Sequence, residues 1–126
     1  QERANQVRES LASTVQHKNG TSLIMARVSL PDAEAVKNVA YGLRNQYENL
    51  LLVMAAEVAG KPMVAVMLGE KLAQTQKYHA GNMVKELARE IEGGGGGQPF
   101  YATAGGKNLA GLERVLSRAK ELIGNV

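Results

Sequence analysis

The chain has 126 residues, 44% of them hydrophobic and 21% charged, which fits one soluble globular domain. It contains no cysteine, which excludes disulfides, a thiol nucleophile and a Cys-rich zinc site. No apolar stretch reaches the roughly 18 residues of a membrane span, so no membrane partner is expected; a net charge of +3 does not by itself identify a nucleic-acid binder.

Residues 1–20 are polar and helix-tolerant, with Val7, Leu11 and Val15 spaced four apart in a narrow stripe. Asn19-Gly20 reads as the helix stop. The chain opens on Gln1 in sequence of this kind, so it is expected to be a piece of a longer protein, entered in mid-helix. The stripe suits packing on the domain or on a partner helix. The globular unit is expected over 21–126.

Leu23 to Val28 predicts a strand. Ser29-Leu30-Pro31-Asp32 then fits a helix start, with Ser29 as a cap and Asp32 favourable to the dipole. That helix should run to about Gln46 and bury Val36, Ala40, Leu43 and Tyr47. Leu50 to Val58 and Met63 to Leu68 are nearly continuous apolar runs separated by Ala59-Gly60-Lys61-Pro62, which predicts a hairpin covered on both faces. A helix is expected over roughly 76–91, with Met83, Val84, Leu87, Ala88 and Ile91 inward and Lys77, Lys85 and Arg89 outward. Five consecutive glycines, Gly93 to Gly97, should form a loop, because glycine supports neither a helix nor a well-packed strand. Phe100 to Ala104 reads as a short strand. A last helix runs from about Asn108 to Ile123, with Leu109, Leu112, Leu116, Ala119 and Ile123 inward. This order predicts an α+β (α/β-like) domain, a mixed sheet of four to five strands with helices packed on it, preceded by the helical arm.

The segment from Gly93 to Gly106 carries the functional signal. Glycines let backbone N–H groups approach a ligand closely, and successive N–H groups form anion-binding concavities. Gly105-Gly106-Lys107-Asn108 leads into the last helix, whose N-terminus should offer free N–H groups and a positive dipole end. At 100° per residue, Lys107, Gly111, Arg114 and Arg118 lie within about 40° of one another, with only Glu121 interrupting. Such a face suits a phosphate backbone. The run matches neither phosphate-loop nor dinucleotide motifs, since Asn108 follows Lys107 and no acidic residue stands at the required distance. A flexible linker is the competing reading of the glycines. Of Phe100 and Tyr101, one should face the core and the other be free to stack on a base. His79 is either a plain surface residue or a hydrogen-bonding partner for phosphate or ribose. No carboxylate can be placed beside it for catalysis, and no Asp/His cluster suggests a metal.

His79-Ala80-Gly81-Asn82-Met83-Val84-Lys85, the glycine run, and Ala102-Thr103-Ala104-Gly105-Gly106-Lys107 together resemble the C-terminal domain of alanyl-tRNA synthetases, itself similar to the DHH-associated domain of some phosphoesterases. The resemblance implies a non-catalytic tRNA-binding module that contacts the outer corner, or elbow, of the tRNA for alanine and helps one tRNA serve both synthesis and editing. It implies other domains of the same synthetase as partners, a cytoplasmic location, and a possible homodimer through the N-terminal helix. ATP, Mg²⁺ and Zn²⁺ would belong to a parent alanine-tRNA ligase, outside this chain. The implied RNA-facing residues are Gly93, Gly94, Gly95, Gly96, Gly97 and Gln98, with His79, Lys85, Lys107 and Asn108 nearby. The residue reading adds Tyr101, Arg114 and Arg118. Gln98 stands where the family often has Arg, and Leu109 where it often has Pro. Alternatives are an oligonucleotide-holding subdomain of a DHH phosphoesterase and a dimerisation module. Valine at Gly95 and Gly96 is expected to block RNA without unfolding the core.

Overall fold

The computed structural model describes residues 2–18, 20–75 and 78–123, so Asn19 and Lys77 lie outside the described residues. Helix α1 (Glu2–Ala12) ends well before Gly20, and Gln16–Lys18 forms strand β1 instead of continuing the helix. β1 pairs antiparallel with β2 (Thr21–Leu30), and Gly20 takes φ +82 in the turn between them. An Asn-Gly pair between strand-forming residues is a hairpin signal as much as a helix stop, and tertiary pairing decides which wins. The apolar stripe of α1 finds its partner inside the chain: Leu11 is 5% exposed, and Val7, Ala12 and Val15 lie half-buried on the same core.

Asp32, not Ser29, caps α2 (Ala33–Gln46), accepting a hydrogen bond from Ala35 N at 2.8 Å. Ser29 stays in β2, because that strand extends two residues further than its apolar run. Val36, Val39, Ala40 and Leu43 are fully buried. Strands β3 (Leu50–Val58) and β4 (Lys61–Leu68) form the expected hairpin. Its turn is only Ala59-Gly60, both with positive φ, so Lys61 and Pro62 already belong to β4. β3 pairs in parallel with β2 through the α2 crossover.

Short helix α3 (Glu70–Gln74) has no counterpart in the sequence reading. Helix α4 (Ala80–Ala88) starts later than expected and tightens into a 3-10 turn over Arg89–Ile91. β5 (Gly94–Gly97) and β6 (Tyr101–Gly105) form an antiparallel hairpin. A 3-10 turn over Leu109–Gly111 then opens helix α5 (Leu112–Ile123).

The mixed sheet therefore has six strands in the order β1-β2-β3-β4-β6-β5. The expected count of four to five missed β1 and β5. Its two faces bury separate cores. Leu51, Val53, Ala55, Val64 and Val66 pack toward α3, α4 and α5. Leu50, Leu52, Met54, Ala65 and Met67 pack toward α1 and α2. β3 is central and covered on both faces, so its unbroken apolar run is what a doubly buried strand requires.

The glycine run is a strand and not a loop. The reason is steric. A Cβ built on Gly95 would lie 2.4 Å from Thr103 O, and one on Gly97 would lie 2.7 Å from Tyr101 O. Only residues without side chains can approach β6 so closely, so glycine's missing side chain here permits the pairing that its entropy disfavours.

Candidate nucleic-acid interface

β5 is an edge strand with β6 as its sheet neighbour, and four of its flanking and internal glycines, Gly93, Gly94, Gly95 and Gly97, are exposed. Its positions alternate in their steric demands. A Cβ on Gly93, Gly95 or Gly97 would run into the backbone of Gly105, Ala104 or Tyr101–Ala102. A Cβ on Gly94 would meet nothing within 4 Å, and one on Gly96 would meet only Lys85 Cε, at 3.6 Å. Neither Gly94 nor Gly96 has a positive φ. Side chains alternate between the two faces of a sheet, so Gly94 and Gly96 present their bare Cα on the face opposite that of Gly93, Gly95 and Gly97. This corrects the expectation that valine at Gly95 would leave the fold intact, because it would drive β5 off β6.

The His79-Ala80-Gly81 motif positions the helix beside this strand. His79 is the N-cap of α4, its Nδ1 accepting from Asn82 N at 3.2 Å. Nε2 is the ring nitrogen left for an external partner. Ala80 is fully buried, and its N–H donates to Pro99 O at 2.8 Å. A Cβ on Gly81 would come within 3.0 Å of Gly97 O, so glycine sets how closely α4 approaches β5. Lys85, one turn along, is exposed and reaches over Gly96.

The start of the last helix differs from its expected form. Lys107 N and Asn108 N both donate to Ile91 O, at 2.8 and 2.9 Å, so neither is a free anion donor. Gly106 and Gly111 allow this docking, since a Cβ on either would strike the backbone of Ile91 or Glu90. The Lys107 side chain is exposed. With Lys61, Glu92 and the Gly93-Gly94 and Gly105-Gly106 backbones it lines a cleft of about 500 Å³ at one end of the hairpin.

Arg114 and Arg118 do not form a free basic stripe with Lys107. Arg114 Nε donates to Glu90 Oε1 at 3.3 Å, and Arg118 Nη2 donates to Glu86 Oε2 at 3.1 Å. Arg118 Nη1 also donates to Glu121 Oε2 at 3.3 Å. The hydrogen bond to Glu86 is the main reason the Arg118 pKa is raised above its usual value. Helical geometry places both arginines on one face of α5, but that face meets the acidic residues of α4 and its 3-10 extension.

Gln98 is exposed beyond β5, where its N–H closes the hairpin on Tyr101 O at 3.0 Å. Phe100 and Tyr101 are both half-buried. The Arg44 guanidinium stands 4.9 Å from the Phe100 ring centroid, and Tyr101 turns toward α2. The sequence reading missed Lys61 beside Lys107, and Lys37 and Tyr41 beside Tyr101. Both groups depend on contacts between distant segments, for which no local motif exists.

Residues 20–125 match the model of the DHHA1 domain family. Alanine-tRNA ligases are similar along nearly the whole chain. That of Cytophaga hutchinsonii is 46% identical over 122 residues, which is 97% of this chain and 14% of the ligase. One from Bacteroides fragilis is 46% identical over 119 residues, 94% of this chain and 13% of the ligase. The chain thus spans about one-seventh of the length of these curated relatives. The solved C-Ala domain from Aquifex aeolicus alanyl-tRNA synthetase superposes with a TM-score of 0.75 at 20% identity, covering 86% of this chain and 96% of that one. A solved DHH-domain protein, described as a member of a family of ribosomal proteins, superposes with a TM-score of 0.61 at 16% identity, covering 98% of this chain and 31% of its own. With the family model matching from Gly20 to the last residues of the chain, this protein belongs to the DHHA1 domain family.

Proposed function

We propose that the chain is the tRNA-binding C-terminal domain of an alanine-tRNA ligase, that it contacts the tRNA elbow, and that it helps one tRNA reach the aminoacylation and editing centres in turn. It works in the cytoplasm beside other domains of the same ligase. The observation that carries this reading is the pair Gly94 and Gly96. Packing does not require glycine there, and neither does φ. What their bareness provides is an edge strand whose backbone an RNA chain can touch, with Lys85 above it and Lys107 at its end. Such contacts position a nucleic acid more than they read its sequence.

ATP, Mg²⁺ and Zn²⁺ would be bound by other parts of the ligase. The chain has no cysteine, and among the described residues no three of His, Asp and Glu cluster.

The test is a titration of this chain against tRNA for alanine at rising salt, followed by fluorescence anisotropy. Phosphate contacts by Lys85 and Lys107 predict a slope of log affinity on log salt of about −1.4 to −1.8. Gly94→Val should fold normally and bind about tenfold more weakly, an expectation based on losing close backbone contacts. Affinity that stays flat with salt, or a folded Gly94→Val chain that binds as tightly as the parent, overturns the reading.

A further inference from the structure

A second feature lies on the α2 side of the sheet, next to the same hairpin. α2 packs over β2, β3 and β4. Between it and the tip of the β5–β6 hairpin a recess of about 330 Å³ opens to solvent. One wall is aromatic. The rings of Tyr41 and Tyr101 meet edge to face, with centroids 5.4 Å apart at an interplanar angle of 64°. Both are half-buried and rest on the α1/α2 core, so their positions are held by packing. The opposite wall is the Gly96-Gly97 backbone and the exposed Gln98. Lys37, one turn before Tyr41 on α2, is exposed at the rim, with Nζ 5.8 Å from the Tyr41 ring centroid. Among the described residues Lys37 forms no ion pair.

We infer that this recess binds one unpaired nucleobase, stacked against the Tyr41–Tyr101 pair, with Lys37 on a flanking phosphate and the Gln98 amide on the base edge. The chemistry of each wall supports one part of that ligand. Aromatic faces accept any base, because every base has a π-face. An ammonium at the mouth complements phosphate, and a primary amide can both donate to and accept from a base edge. The volume sits at the small end of the roughly 300–1,000 Å³ of ligand sites, which suits a single base and not a folded oligonucleotide. The identification of the base as part of an RNA rests on the proposed role of β5. A free nucleotide would present the same base, and the experiment separates the two.

The chain, labelled with ¹³C at tyrosine, is titrated with short single-stranded RNA and separately with AMP. Ring resonances are followed by NMR, and affinity by anisotropy. Stacking should shift the Tyr41 and Tyr101 signals and leave Tyr47 and Tyr78, which lie outside the recess, in place. Tyr41→Leu, which keeps apolar bulk on the core, should weaken RNA binding about tenfold, as loss of one aromatic–base stack does. Lys37→Ala, at an exposed helix position, should weaken it about threefold and lower the salt slope by about one phosphate contact. RNA binding with no movement of either ring and no loss in Tyr41→Leu overturns the recess and leaves the β5 role standing. Ring shifts with AMP but no binding of RNA support the recess and overturn RNA as the source of the base. Silence with both ligands overturns the recess, while the β5 role stands or falls separately on the tRNA titration.

Discussion

Replacing Gly95 by alanine and, separately, Gly96 by alanine adds the same methyl group to neighbouring positions of β5 and should move stability in opposite directions. At Gly95 the new carbon would lie 2.4 Å from Thr103 O and 2.6 Å from Ala104 Cα, both on the backbone of β6. Ordinary contact begins at 3.4 Å, so the two strands must part by about 1 Å. That is enough to lose the local hydrogen bonds of the pair. Two such bonds at about 0.5–1.5 kcal/mol each give a loss of about 1–3 kcal/mol, which is also the range for overpacking. At Gly96 the nearest atom is Lys85 Cε at 3.6 Å, the end of a flexible side chain, and φ is not positive. Alanine there restricts the unfolded chain without native strain and should stabilise by about 0.4–1 kcal/mol. Urea denaturation of the parent and both variants, followed by circular dichroism, reads the difference directly. A Gly96→Ala chain as destabilised as Gly95→Ala would refute the alternating packing of β5.

Two further predictions concern charge. Glu86→Gln, Glu121→Gln and Glu90→Gln together remove the carboxylates paired with Arg118 and Arg114. If the face of α5 lies against RNA, affinity at low salt should rise about two- to fivefold and its salt dependence should steepen. An unchanged titration places both arginines away from the ligand. Tyr101 gives a pH signature at the alkaline end. Burial raises its folded pKa to about 12, with Tyr41 adding to the effect. Between about 10, the usual tyrosine value, and 12 the unfolded chain has lost a proton that the folded chain keeps, so stability falls as pH rises through this window. Tyr101→Phe should flatten that decline in alkaline urea titrations, and a decline of unchanged steepness would be the refuting result.

The parts of the fold that rest on local periodicity were legible in the sequence. The α2 and α5 stripes, the β3–β4 hairpin and the doubly buried run from Leu50 to Val58 all follow from spacing and burial on one or two faces. β1 was hidden because Gln16-His17-Lys18 has no apolar alternation, and its pairing with β2 is what makes it a strand. β5 was hidden for a stronger reason. Local propensity argues against a glycine strand, and only the backbone of β6 at close range supplies the opposing term. The site divides in the same way. The glycines, His79 and Lys85 come together through short-range structure, and their neighbourhood followed from the motif. Lys107 joins them only at the far end of the hairpin. Arg114 and Arg118 illustrate the limit of a helical wheel, which shows a shared face but not the carboxylates facing it from another helix.

Five consecutive glycines are explained by two demands that overlap in one strand. Packing of β5 on β6 asks for glycine at every second position, at Gly93, Gly95 and Gly97. That demand alone would be met by a pattern alternating glycine with any small polar or β-forming residue. Glycine at Gly94 and Gly96 costs conformational entropy and relieves no clash inside the fold; in the proposed function the balancing benefit is contact with RNA. A flexible linker would show neither the alternation nor the anchoring at both ends. Here Gly93 N donates to Ala88 O at one end, and Gln98 N to Tyr101 O at the other. The bare positions are therefore held on a fixed strand instead of a mobile loop. A partner binding there need not order the segment first, which removes part of the entropic cost of association.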